Sequence, residues 1–153
     1  MIMTKDDKQN AYLYCKFRDE QFALYDEYAK KNGMLMKTLL VLNVLYYAKA
    51  GMTQRDICQK TFQSKQTVNL IIKNLLKDGY VTICEDPDNG RNKLVAMTDE
   101  GRAYAKVPVT HITKSEDTAM SMFTSEEQEQ LISLSRRFTK NLTDLINGRG
   151  AEA

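Results

Sequence analysis

Ser64, Lys65, Gln66, Thr67, Asn69 and Lys73 crowd hydroxyls, amides and ammonium groups into one short stretch. An amide such as that of Gln66 or Asn69 sets a donor beside an acceptor, which is what the edge of an adenine needs opposite it. An ammonium such as that of Lys65 or Lys73 suits guanine acceptors or a phosphate oxygen. At helical spacing these residues gather on one side, and Val68, Ile71, Ile72, Leu75 and Leu76 form the other. Any solvated helix face also looks polar, so the ridge takes its meaning from its surroundings. Arg91 lies nearby in the turn-rich run 86–92, and Lys93 follows it. An arginine on a projecting loop fits a narrowed minor groove, where negative potential is enhanced, and a lysine beside it can assist at a phosphate. Glu85, Asp86 and Asp88 oppose that attraction unless they point elsewhere or hold Arg91 in a local ion pair.

Other chemistries lack residues. His111 is the single histidine, and no Ser/His/Asp set, Cys/His set or phosphate-binding loop accompanies it, so no catalytic residue is assigned and the chain reads as a non-enzyme. A zinc site would need more nitrogen and sulfur ligands than this, so no metal or cofactor is expected. His111, near Pro108, reads as a surface or dimer-interface residue. The three cysteines are odd in number and widely spaced, which points to free thiols. Cys58 and Cys84 read as core residues. Cys15, beside Tyr12, Tyr14 and Phe17, fits a small buried hydrophobe, or a reactive thiol helped by Lys16 and Arg18.

The ridge needs elements to hold it. Residues 53–60 and 64–77 read as two short helices joined by Thr61, Phe62 and Gln63, with Thr53 and Ser64 as N-caps and Gly79 as a stop. That is the outline of a helix-turn-helix, which aims the start of its second helix at base edges. Five basic and two acidic residues fall between Thr53 and Gly79, so the net +2 of the whole chain is concentrated there. After Gly79 the period shortens. Residues 80–85 and 93–97 read as strands about an Asn89-Gly90 turn, a β-hairpin wing carrying Arg91 at its tip.

Upstream, residues 10–31 read as an amphipathic helix with Tyr14, Phe17, Leu24 and Tyr28 on one face, and residues 34–49 as a central helix, apolar nearly all round. Downstream, residues 98–122 read as a helix capped by Thr98 and kinked at Pro108. A last helix over 124–147 opens on a capping box, Thr124 with Glu127, and repeats Leu131, Leu134, Phe138, Leu142 and Leu145 at near-heptad spacing, a stripe that needs a partner. At 153 residues a single domain over 1–153 is expected, mainly α with a small β-hairpin wing. The apolar run 39–48 is too short to span a bilayer, and residues 1–8 lack the apolar stretch of a secretory signal, so the expected location is the cytoplasm, without a membrane.

The order of elements, with the stretches 53–58, 64–81, 86–91 and 94–101, resembles the MarR family of winged helix-turn-helix regulators along nearly the whole chain. The resemblance implies a six-helix homodimer on a roughly palindromic double-stranded DNA operator, with 53–98 as the DNA-binding region and helices 8–32 and 99–147 as the dimerisation region. It implies DNA contacts from Ser64, Lys65, Gln66, Thr67, Asn69 and Arg91, and a repressor relieved by a small aromatic or phenolic effector. Tyr25, Tyr28, Met36 and Tyr46 are the candidates to line that effector's pocket; plain core packing is the other reading of each. Cys15 is the candidate for peroxide sensing. The wing departs from the family in having few basic residues, which implies a weaker hold there. An interaction module or anti-regulator that keeps the shape without binding DNA is the alternative from another class.

Overall fold

Side-chain caps decide where most of the helices begin. In the computed structural model, which describes residues 2–150, Thr4 opens α1 (Lys5–Lys31) with a capping box. The Thr4 hydroxyl accepts the Asp7 amide at 3.0 Å, and the Asp7 carboxylate accepts the Thr4 amide at 2.8 Å. These bonds to Thr4 hold the Asp7 carboxyl below its ordinary pKa. The helix therefore starts ahead of the residue-10 start, and of the residue-8 boundary, expected from the sequence. Its first turns are polar on every side, so apolar spacing carries no signal there. α2 (Met36–Tyr47) starts after Leu35 without a side-chain cap and is shorter at both ends than expected.

Next come α3 (Gln54–Thr61), α4 (Lys65–Lys77), β1 (Val81–Glu85), β2 (Lys93–Met97), α5 (Asp99–Ser121) and α6 (Ser125–Ile146). The strands pair antiparallel from Val81 opposite Met97 to Glu85 opposite Lys93. Met52 adds a lone bridge to Val95, with N–H···O distances of 3.0 and 2.8 Å. One residue pair is too short to leave a period in the sequence. Gly51 makes the approach possible: its φ is +80°, and a Cβ there would sit 2.7 Å from the Val95 carbonyl oxygen.

The chain divides into one unit ending at Thr110 and another beginning at His111, with α5 running across the division. The first unit contains the apolar core. Leu39, Leu42 and Leu45 of α2 are 2% exposed or less and pack with Ile57, Val68, Ile72, Val81, Val95 and Val109. The helix of α5 continues through Pro108, whose carbonyl accepts the Tyr28 hydroxyl at 2.8 Å. In the second unit the Thr124–Glu127 capping box forms, and the Gln128 side-chain amide donates to the Met120 and Phe123 carbonyls. No described helix is long and apolar enough to cross a membrane.

Two burial expectations need correcting. Cys84 is exposed, because only Val81 of β1 is covered and the rest of that strand projects into solvent. Leu76 is 37% exposed, at the rim of α4 and not on its inner side. Cys58 is half-buried against the core, and Cys15 is half-buried on α1. Large apolar side chains are left uncovered along α1 and α6. Tyr12, Leu13, Phe17 and Leu24 of α1 are 48–64% exposed, and α6 has no buried residue at all.

Candidate nucleic-acid interface

The turn between α3 and α4 is built from hydrogen bonds within the first unit. The Thr53 hydroxyl accepts the Asp56 amide at 3.1 Å to start α3. Phe62 closes that helix in the left-handed region, φ 53°, and its N–H reaches the Cys58 carbonyl. The Gln63 side chain then donates to the Lys37 carbonyl of α2 at 3.2 Å, tying the turn to the core helix. Ser64 caps α4 by accepting the Thr67 amide at 3.1 Å while donating to the Thr67 hydroxyl at 2.9 Å.

Buried Val68, Ile71, Ile72 and Leu75 fix the rotation of α4. Lys65, Gln66, Asn69 and Lys73 are thereby exposed together on its outer side, with Lys77 at its end. Among the described residues, no ion pair engages Lys65, Lys73 or Lys77, nor Arg55 and Lys60 of α3. Positive charge is thus presented outward along α4, and Lys65 stands at its start, where helix amides favour an anion. Ser64 and Thr67 are placed differently. Their hydroxyls are engaged with one another, and Thr67 is half-buried. One exposed residue of this face was not singled out from sequence. Leu70 stands 60% exposed among the polar groups, and its position one helical turn after Gln66 was the signal for it.

The loop of the hairpin folds on itself. The Asp86 carboxylate accepts the Asp88 amide at 2.9 Å, the Asn89 side chain accepts the Arg91 amide at 3.3 Å, and the Asp86 amide donates to the Asn92 carbonyl at 3.1 Å. Arg91 is exposed, and its guanidinium forms no ion pair among the described residues, so neither Asp86 nor Asp88 holds it. Lys93 does have a partner, Glu85 across the strands at 3.7 Å, in an exposed pair of the kind that contributes little to stability.

A seam joins the end of α4, the hairpin and the start of α5. The Thr98 hydroxyl donates to the Gly79 carbonyl at 2.7 Å and accepts the Gly101 amide at 3.0 Å, while the Thr98 amide donates to the Tyr80 carbonyl at 3.1 Å. Gly101 presses on that same carbonyl, and a Cβ there would collide with it. The rings of Tyr80 and Tyr104 stack at 4.2 Å, 6° from parallel. Burial, then the nearby Tyr80 and Asp78, pushes the Tyr104 phenol up.

The candidate effector residues are all in the first unit. Tyr28, Met36 and Tyr46 pack against the core, and Tyr25 is half-buried. Burial pushes the Tyr28 phenol up against an opposing hydrogen bond from Asn32. The Arg102 guanidinium lies 4.8 Å from the centre of the Tyr46 ring and donates to the Tyr46 carbonyl at 3.3 Å.

Comparison with known proteins agrees with this layout. The chain is 27% identical over 99 residues to the uncharacterized HTH-type transcriptional regulator YybA of Bacillus subtilis (strain 168), a match covering 65% of this chain and 66% of that protein. Its fold is similar to that of S. aureus MepR in a DNA complex, with TM-score 0.68 and 20% identity over 92% of this chain and 99% of that one. It is also similar to the PcaV transcriptional regulator from Streptomyces coelicolor in complex with its natural ligand, with TM-score 0.65 and 21% identity over 92% and 98% of the two chains. The MarR family model matches residues 32–92. That stretch, over which the chain is similar to the family, holds α2, the helix-turn-helix, β1 and the wing loop with Arg91.

Proposed function

We propose that the protein is a sequence-specific regulator of transcription that binds double-stranded DNA as a homodimer and is a repressor relieved by a small aromatic or phenolic effector. The observation that carries the reading is α4: its inner side is locked into the core, and its outer side offers amides and ammonium groups that, like Arg91 of the wing loop, enter no ion pair among the described residues. The MepR and YybA likenesses support it through what those proteins are described as, a DNA-bound protein and a transcriptional regulator.

In this reading α4 enters the major groove. Gln66 and Asn69 meet base edges, Lys65 and Lys73 meet guanine or phosphate, and Arg91 enters the flanking minor groove. Ser64 and Thr67 contribute through the amide-rich helix start that they organise, and Lys93 joins once it exchanges Glu85 for a phosphate. Region 53–98 carries DNA binding, and the exposed faces of α1 and α6 bring a second copy so that two α4 helices reach half-sites of a pseudo-palindrome. The effector acts near Tyr25, Tyr28, Met36 and Tyr46 by preferring an arrangement of the dimer that no longer matches the half-site spacing, and PcaV, solved with its natural ligand, supports this part. The protein acts by binding and carries out no catalysis.

Gel-shift titrations of two variants test the assignment. Gln66→Ala is expected to lose about 1–3 kcal/mol on its preferred duplex and to change base preference, whereas Lys77→Ala weakens all duplexes alike. Weak binding that is identical on selected and random duplexes, even at low salt, would favour an interaction module that has lost DNA binding.

A further inference from the structure

One side chain on the outer face of α4 cannot form a hydrogen bond. Leu70 is 60% exposed, while Val68, Ile71, Ile72 and Leu75 of the same helix are 7% exposed or less. It follows Gln66 by four positions and precedes Lys73 by three and Lys77 by seven, so these four residues form one line along the helix. Exposed Asn69 and Asn74 lie to either side of that line, which places Leu70 at the centre of the face, away from the rim where core residues spill out.

A lone exposed leucine is unremarkable on most surfaces. At the centre of a ridge shaped for base edges it has a specific complement, because the major groove offers one apolar feature, the C5-methyl of thymine. Resting on the DNA-binding reading above, we infer that Leu70 is a specificity-determining residue that reads a thymine methyl in each half-site. Hydrogen bonds from Gln66 and Asn69 then select some base pairs, while Leu70 selects thymine by contact, a discrimination no amide or ammonium supplies.

The test uses the full chain and a duplex that it selects from a random pool, with each thymine replaced in turn by deoxyuridine. That exchange removes the methyl and leaves every hydrogen-bonding group in place. Wild-type binding is expected to weaken about fourfold for each half-site whose contacted thymine is replaced, the effect of uncovering one methyl. Leu70→Ala should bind the thymine and uracil duplexes alike, and Leu70→Met, which keeps an apolar tip, should retain the difference. The inference is overturned if every deoxyuridine duplex binds wild type as well as its parent, or if the sensitivity persists in Leu70→Ala. Selection of a preferred sequence together with indifference to the methyl overturns this inference alone. Failure to prefer any duplex overturns the DNA-binding reading with it.

Discussion

Phe62 occupies a backbone region that costs a side chain with a Cβ about 1–2 kcal/mol, and its ring, 95% exposed, recovers almost nothing by burial. Asparagine tolerates this conformation far better. Phe62→Asn is therefore expected to raise stability by about 0.5–1 kcal/mol, read as a higher midpoint in urea unfolding. An unchanged or lower midpoint would mean that the ring itself holds the turn. The sequence marked Thr61, Phe62 and Gln63 as a connection, since they fall between two helical patterns that each open on a capping residue, but composition says nothing about a dihedral angle. Hydroxyls show the same limit. Ser64 and Thr67 are of the right type to touch a base, yet they bond each other, because a rotamer decides a hydroxyl's partner. Leu70 was placed on neither face from the sequence, as an aliphatic residue draws no notice among polar groups until its angle about the axis is counted.

At the scale of elements the seam around Thr98 ranks high, because three segments depend on it. Gly101→Ala places a methyl against the Tyr80 carbonyl backbone, which cannot swing aside as a flexible side chain would. The expected loss is about 2–3 kcal/mol in thermal unfolding. Gly90→Ala, in the wing loop with nothing within 4 Å of the added carbon, is the control and should change little. A loss equal to that of the control would mean that the seam yields easily. Elements were the most legible level of the chain. The switch from helical to alternating period at Gly79 and the caps at Thr53, Ser64 and Thr124 each have a local physical cause, and all three caps form. The start of α1 was missed because its cap, Thr4 with Asp7, precedes any apolar repeat.

For the whole molecule, the uncovered stripes on α1 and α6 ask for a second copy. A helix with Leu131, Leu134, Leu142 and Leu145 between 39% and 61% exposed leaves much apolar surface in water. Replacing Leu142 and Leu145 together by Glu is expected to move the sedimenting species from twice the 17.6 kDa chain mass to the chain mass itself. A mass that does not change would place the self-association surface elsewhere. The near-heptad repeat announced this need in the sequence, whereas spacing along one helix does not say which residues cover the stripe. The seam bears on release as well. With the Thr98 hydroxyl bonded to the Gly79 carbonyl just past α4 and the Thr98 amide to the Tyr80 carbonyl at the foot of the hairpin, helix and wing are expected to move as one piece. On the proposed reading, an inducer that shifts this piece would not free one groove and leave the other engaged. Dissociation from an operator should then be all or none within each half-site, with a steep response to dose and no lingering wing-bound state.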